Sequence, residues 1–291
     1  VILGHLLTPA GFIESEITVT RLAADHYYVL SAAVAQLHDL DQFEWRRQPG
    51  ENFTVMDVTD EYGTLVLAGP RSREVLGAVT SCDLSNASFR WLTGKLAEVA
   101  GVAGVRLLRV NYVGELGWEL HVPMARMPVV FDALMTAGAA HGIALFGTYA
   151  MNSLRMEKAY RAWGAELTNE VTMVEADMER FVHYDKEFIG KAGTLRSRNE
   201  GPRHVLCYLE VEADNADCLG NEPVYCEGRL AGLTTGGAYG FAVQKSLTFA
   251  YLDPQLRRDG ARLEIMLRGE LRGARLLPEP AWDPANQRLR S

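Results

Sequence analysis

Long apolar runs are missing from this chain of 291 residues, and none approaches the roughly 20 needed for a helix to cross a bilayer. Positive charge is in deficit: 29 Lys and Arg stand against 37 Asp and Glu, a formal net charge of −8. That balance argues against a nucleic-acid or anionic-membrane surface. Cysteine is sparse, and Cys82, Cys207, Cys218 and Cys226 show neither CxxC spacing nor a dense framework. A disulfide scaffold is therefore not expected. Reduced, structural thiols in a cytoplasmic or mitochondrial-matrix compartment are. The opening Val-Ile-Leu-Gly-His-Leu-Leu has no basic leader, so no secretory signal is read. No GxGxxG fingerprint follows a strand, no nucleophile–His pairing is recognisable, and no metal ligand set is assigned.

Apolar residues, by contrast, make up 48% of the chain, enough for two or three compact domains with their own cores. Residues 1–7 read as a buried strand, 12–22 as an alternating strand, and 27–33 as another. On the second strand Glu14, Glu16 and Thr18 share one face, with Ile17 and Val19 on the other. Residues 36–47 read as a helix with Leu37, Leu40 and Phe43 on one stripe. Strands are expected at 53–57, 64–68, 95–99 and 105–110, and helices at 72–79 and 127–141, the latter stopped by Gly142. In 146–164, Met156, Ala159, Tyr160 and Trp163 recur at helical spacing, and Glu157 and Arg161 form an i, i+4 pair. A further helix follows Gly190, with Lys191, Arg196 and Arg198 on a solvated face. The stretch 198–202 marks a domain boundary. Beyond it, short strands alternate with glycine turns, the pattern of a small β-barrel or sandwich, and the tail past Pro278 reads as loosely attached. The glycine-rich run 234–240 lacks a strand-to-helix setting, which excludes a phosphate cradle.

The most informative stretch is Asn111-Tyr-Val-Gly-Glu-Leu-Gly-Trp-Glu-Leu-His-Val-Pro123. A strand ends, the chain turns at Gly114 and Gly117, and a second strand runs over residues 118–122. Glu115 and Glu119 flank the bend beside Tyr112 and Trp118. A flat, nitrogen-rich heterocycle requires aromatic walls and a carboxylate that accepts paired N–H donors. The same residues also suit a hairpin with a solvated Glu and two core aromatics.

This segment resembles the folate-binding motif of the glycine-cleavage T-protein (aminomethyltransferase) superfamily. Its wording is nearest to the C-terminal folate region of the dimethylglycine and sarcosine dehydrogenase branch. Three further blocks carry the likeness in the family's order: His5-Leu-Leu-Thr-Pro-Ala-Gly11 with Glu16-Ile-Thr-Val19, the block 146–164, and Gln244-Lys-Ser-Leu-Thr-Phe-Ala-Tyr251. The resemblance implies an α+β, aminomethyltransferase-like folate-binding fold with ferredoxin-like layers, followed by a small C-terminal β-barrel. It divides the chain into 1–50 with 139–200 (N-terminally incomplete relative to the family), 51–138, and 203–291. It also implies tetrahydrofolate as the cofactor, with Glu119 holding the pterin ring, Tyr112 and Trp118 walling it, and Arg155 as an ancillary contact. Glu16 takes the place of a catalytic Asp within an Asp-Asp-Leu pattern that here reads Glu14-Ser15-Glu16 before Ile17.

The implied reaction forms methylene-tetrahydrofolate from the iminium or formaldehyde released by N-methyl amine oxidation. FAD is then expected only on an upstream domain or a flavoprotein partner. Two alternatives remain open: a folate-binding or interface module without chemistry, and an aminomethyltransferase of the glycine cleavage system.

Overall fold

The computed structural model describes residues 1–257 and 260–291. The chain divides into two compact units. One comprises Val1–Ile2, Thr18–Phe146 and Ala285–Ser291, the other Leu3–Ile17 and Gly147–Pro284. The opening strands β1 (Ile2–Leu7), β2 (Ile13–Arg21) and β3 (Tyr27–Ser31) form a sheet in that order. β1 is an edge, and Ile2 and Leu3 are exposed rather than buried as their apolar run suggests. β2 alternates as expected: Ile13, Ser15 and Ile17 are buried while Glu14, Glu16 and Thr18 are half-exposed.

In the first unit, α1 (Gln36–Trp45) follows a short 3-10 turn. Of the expected apolar stripe, Leu40 and Phe43 are half-buried and Leu37 is exposed, while Asp39 is buried. The segment 53–57 forms no strand. The unit's sheet runs β4-β7-β6-β5, from Tyr62–Ala68, Gly117–Pro123, Val102–Leu108 and Gly94–Val99, all neighbours antiparallel. Helices α2 (Ser72–Gly77) and α3 (Met127–Gly138) pack on one face. Val75, Leu76, Val130 and Leu134 meet Leu67, Val105, Leu107, Trp118, Leu120 and Val122 there in one fully covered core. Each such side chain contributes roughly 1.5–3 kcal/mol by leaving water. The C-terminal residues are tied down rather than loose: Leu289 is buried, and the Ser291 oxygen accepts from Arg73 and Arg109, both at 2.8 Å.

In the second unit, α4 (Thr148–Glu157) stops short of the helix expected over 146–164. Ala159 takes a left-handed φ of 52°, the Ala159 amide donates to the Met156 carbonyl and the Tyr160 amide to the Arg155 carbonyl, both at 3.0 Å. This paired closure ends a helix and satisfies its last carbonyls. Arg161, left outside the helix, turns to Asp177 at 2.8 Å. α5 (Lys191–Glu200) follows Gly190.

The barrel closes in the order β10-β11-β8-β13-β12-β9, with strands Val205–Val211, Pro223–Cys226, Arg229–Gly240, Lys245–Leu252, Leu263–Leu267 and Glu270–Leu276 taking labels β8 to β13 in chain order. The glycine-rich run lies within β10, where the pairing to β11 slips between Thr234 and Gly236. Small residues there admit the helix: Ser153 Oγ donates to the Tyr239 carbonyl at 2.6 Å and Asn152 to Gly237 at 3.1 Å.

Candidate functional site

The turn between β6 and β7 is built on Asn111. Its Oδ1 accepts from the amides of Val113 (3.0 Å) and Gly114 (3.1 Å), while its Nδ2 donates to the Glu115 carbonyl at 2.7 Å. An Asn that hydrogen-bonds the following backbone shapes a turn locally. Gly114 takes φ +74° within it. Gly117 serves close approach: a Cβ there would lie 2.6 Å from the Leu67 carbonyl oxygen. With the bend so fixed, strand alternation sorts the motif between two faces of the sheet.

Trp118 goes to the core face. It is fully buried, with Phe89 set edge-on at 6.2 Å. Arg73 and Arg109 each lie 5.7 Å from its ring centroid. As placed it offers no surface to a ligand, and the expected pterin wall is instead a core residue. Glu119 goes to the other face, with its side chain 23% exposed. Tyr112 is half-buried in the turn.

Behind Glu119 lies a polar row that sequence reading missed. Thr64, His121 and Arg106 are cross-strand neighbours on β4, β7 and β6. His121 is buried, and its Nδ1 lies 3.1 Å from Thr64 Oγ1 and 3.2 Å from the Tyr28 hydroxyl. Its Nε2 lies 3.4 Å from Glu119 Oε2, within ion-pair reach though not aligned as a hydrogen bond. The Arg106 guanidinium sits between two rings, 4.2 Å from Tyr28 and 3.8 Å from Tyr62. Burial raises the Tyr28 phenol above its ordinary value, with Arg106 opposing, so Tyr28 keeps its proton at neutral pH. A signal for His121 exists in the sequence: two residues past Glu119 on a strand, it must share that face. Tyr28 and Thr64 carry no such local mark.

In the second unit Glu16 pairs with His5, Nε2 to Oε2 at 3.2 Å. The His5 side chain is 4% exposed and that of Glu16 21%, so the carboxylate is held from its buried side and stays accessible on the other. Ser15 is fully buried. Arg155 is buried and committed: Nε donates to Asn152 at 2.8 Å, and Nη1 to the Tyr160 carbonyl at 3.0 Å and to Glu166 at 2.7 Å. Glu166 also accepts from Thr235 of β10 at 2.7 Å. The expected ancillary folate contact is, as placed, a clamp joining α4 to the barrel. Among the described residues no group of three or more His, Cys, Asp or Glu could hold a metal ion.

The GCVT N-terminal domain family matches residues 1–186, and the glycine cleavage T-protein C-terminal barrel domain matches 204–283. The chain belongs to the glycine cleavage T-protein family. Among its relatives in that family, the mitochondrial dimethylglycine dehydrogenase of Mus musculus is 38% identical over 99% of this chain and 34% of its own length. The mitochondrial sarcosine dehydrogenase of the same organism is 33% identical over 98% of the chain and 33% of its own length. An aminomethyltransferase of Koribacter versatilis is 29% identical, over 85% of the chain and 65% of its own length. The chain thus spans about a third of the length of those two dehydrogenases. The crystal structure of glycine cleavage system aminomethyltransferase T from Bartonella henselae superposes with a TM-score of 0.86, covering 97% of this chain and 76% of that one. At 21% identity that likeness establishes the T-protein fold, mixed α+β with a closing antiparallel barrel.

Proposed function

We propose that this T-protein family chain binds tetrahydrofolate and serves one-carbon transfer, forming methylene-tetrahydrofolate from the iminium or formaldehyde product of N-methyl amine oxidation. The observation that carries the reading is Glu119, a carboxylate on the face of β7 opposite the core, half-exposed and backed by a buried histidine. An acid so placed accepts two N–H donors from a flat heterocycle, the strong charge-assisted kind of hydrogen bond. The 38% identity to dimethylglycine dehydrogenase across nearly the whole chain supports the same reading. An oxidising flavin would belong to a further domain or a partner.

Tetrahydrofolate supplies the nucleophilic nitrogen when bound, so the chain needs no nucleophile of its own. Its residues must place and shield. Glu119 receives the pterin edge and Tyr112, on the same turn, borders it. Glu16, steadied by His5, is assigned the proton or developing positive charge of the transfer.

Calorimetry with tetrahydrofolate tests the binding role. Glu119→Ala is expected to weaken affinity at least tenfold, since a hydrogen bond to a charged group contributes about 1.5–3 kcal/mol. Equal affinity in both proteins removes Glu119 from the site. Glu16→Gln is expected to bind normally and to slow methylene-folate production from formaldehyde; unchanged turnover defeats its assignment. One observation favours binding without turnover: where the family pattern has a second acid, this chain has the buried hydroxyl of Ser15. Under that reading wild type and Glu16→Gln are equally inert with formaldehyde.

A further inference from the structure

His121 is buried in the first unit, yet its two ring nitrogens meet opposite surroundings. Nδ1 faces two hydroxyls, Thr64 at 3.1 Å and Tyr28 at 3.2 Å. Nε2 has no aligned hydrogen-bond partner, and a carboxylate oxygen of Glu119 lies 3.4 Å away. A neutral imidazole carries one N–H and one lone pair, so the surroundings select the tautomer. A proton on Nδ1 would leave the Nε2 lone pair facing an anion, which is repulsive. A proton on Nε2 leaves Nδ1 free to accept from Tyr28 or Thr64. It also puts the positive end of an N–H bond on the side of the ring where Glu119 lies, 3.4 Å away though not aligned as a hydrogen bond. Arg106, the neighbouring charge on β6, is stacked between Tyr28 and Tyr62 and thereby held beside the pair.

We propose that His121 is a positioning residue for Glu119: its Nε2–H, favoured by the nearby anion and compatible with the two hydroxyls on the far side of the ring, orients the carboxylate that receives the ligand. This rests on the folate reading of Glu119 for its consequence but not for its geometry. A half-exposed glutamate has three side-chain torsions to fix, and a buried donor behind one oxygen leaves the other free to accept. Preorganising an acceptor in this way lowers the cost of binding, because less freedom is lost when the ligand arrives.

The two amide replacements separate the two ends of the ring. Gln places a donor where Nε2 was, whereas Asn reaches only as far as Nδ1. His121→Gln is therefore expected to keep tetrahydrofolate affinity within about threefold, and His121→Asn to lose about tenfold, or about 1.4 kcal/mol. On a Glu119→Gln background the Asn change is expected to cost nothing further. Equal behaviour of the Gln and Asn variants, or an undiminished Asn effect without Glu119, overturns the proposal.

A ligand-free measurement on the wild-type chain covers the case in which either variant fails to fold. Long-range ¹⁵N–¹H correlation of the imidazole is expected to show the Nε2-protonated tautomer, and the Nδ1-protonated form overturns the proposal. Failure of the folate reading looks different: wild type does not bind tetrahydrofolate, or Glu119→Ala binds it equally, while the tautomer stands.

Discussion

Trp118 and Glu119 are adjacent in sequence and opposite in role. Alternation along β7 places one in the core and the other on the far face, and the register Val66↔Glu119 and Leu67↔Trp118 fixes which is which. The indole also carries a cost, because its Nε1 is buried without a hydrogen-bond partner. Trp118→Phe removes that orphan donor, worth about 1–3 kcal/mol, while shedding apolar volume of similar worth. The two effects oppose, so stability measured by denaturant is expected to change by less than about 2 kcal/mol. Tetrahydrofolate affinity should not move at all. A loss of affinity matching that of Glu119→Ala would put the indole in the pocket and refute its assignment to the core. That an acid stands in this bend was legible from residue type and spacing; its ligand role comes from the family resemblance and belongs to the proposal. The role of Trp118 was not, since an aromatic beside a glycine bend suits a wall and a core equally until the register is known.

The end of α4 shows where periodicity misleads. Met156, Ala159, Tyr160 and Trp163 keep helical spacing, yet the helix closes at Glu157 and Ala159 stands at φ 52°. Spacing records which side chains are apolar; a left-handed alanine leaves no mark in it, because the usual glycine signal is missing. What holds the closure lies elsewhere in the second unit. The Tyr208 hydroxyl donates to the Met156 carbonyl at 2.7 Å, the Ala242 amide to Glu157 Oε1 at 2.7 Å, and Lys158 Nζ to the Asp283 carbonyl at 2.6 Å. Left-handed backbone costs an L-residue about 1–2 kcal/mol, and a β-branched one more. Ala159→Val is expected to lower unfolding free energy by about 2 kcal/mol or more, and Ala159→Gly to stay within about 1 kcal/mol of wild type. Urea midpoints check both. A valine as stable as the alanine would mean that the helix continues through this position. The barrel's strand pattern, by contrast, was readable, though β10 runs on through the glycine-rich stretch to Gly240.

At the scale of the molecule, the sequence break at 198–202 falls between the two family matches, 1–186 and 204–283, yet residues on both sides of it belong to one compact unit. The barrel stays with residues 147–200 because partners on both sides of the break are bonded. Arg203 donates to Glu175 and to the Glu170 carbonyl, both at 2.8 Å, and the Leu206 amide donates to the Glu175 carbonyl at 2.8 Å. Glycine and proline mark a turn; they do not reveal whether hydrogen bonds cross it. The closed barrel has a consequence that its cysteines report. Cys207 and Cys218 are buried in the barrel's core cluster, and burial pushes their thiols up to about 11 and about 12 respectively. Cys226 on β9 and Cys82 in the first unit are half-buried and free. Only thiolate attacks a disulfide reagent, so reactivity follows both access and the fraction ionised. Titration with an aromatic disulfide at pH 8 is expected to release Cys82 and Cys226 from the native chain and to leave Cys207 and Cys218 unreacted. Those two should react only as denaturant opens the barrel, and at the same midpoint as each other. Prompt reaction of Cys218 in the folded protein would show that the strands around it do not close.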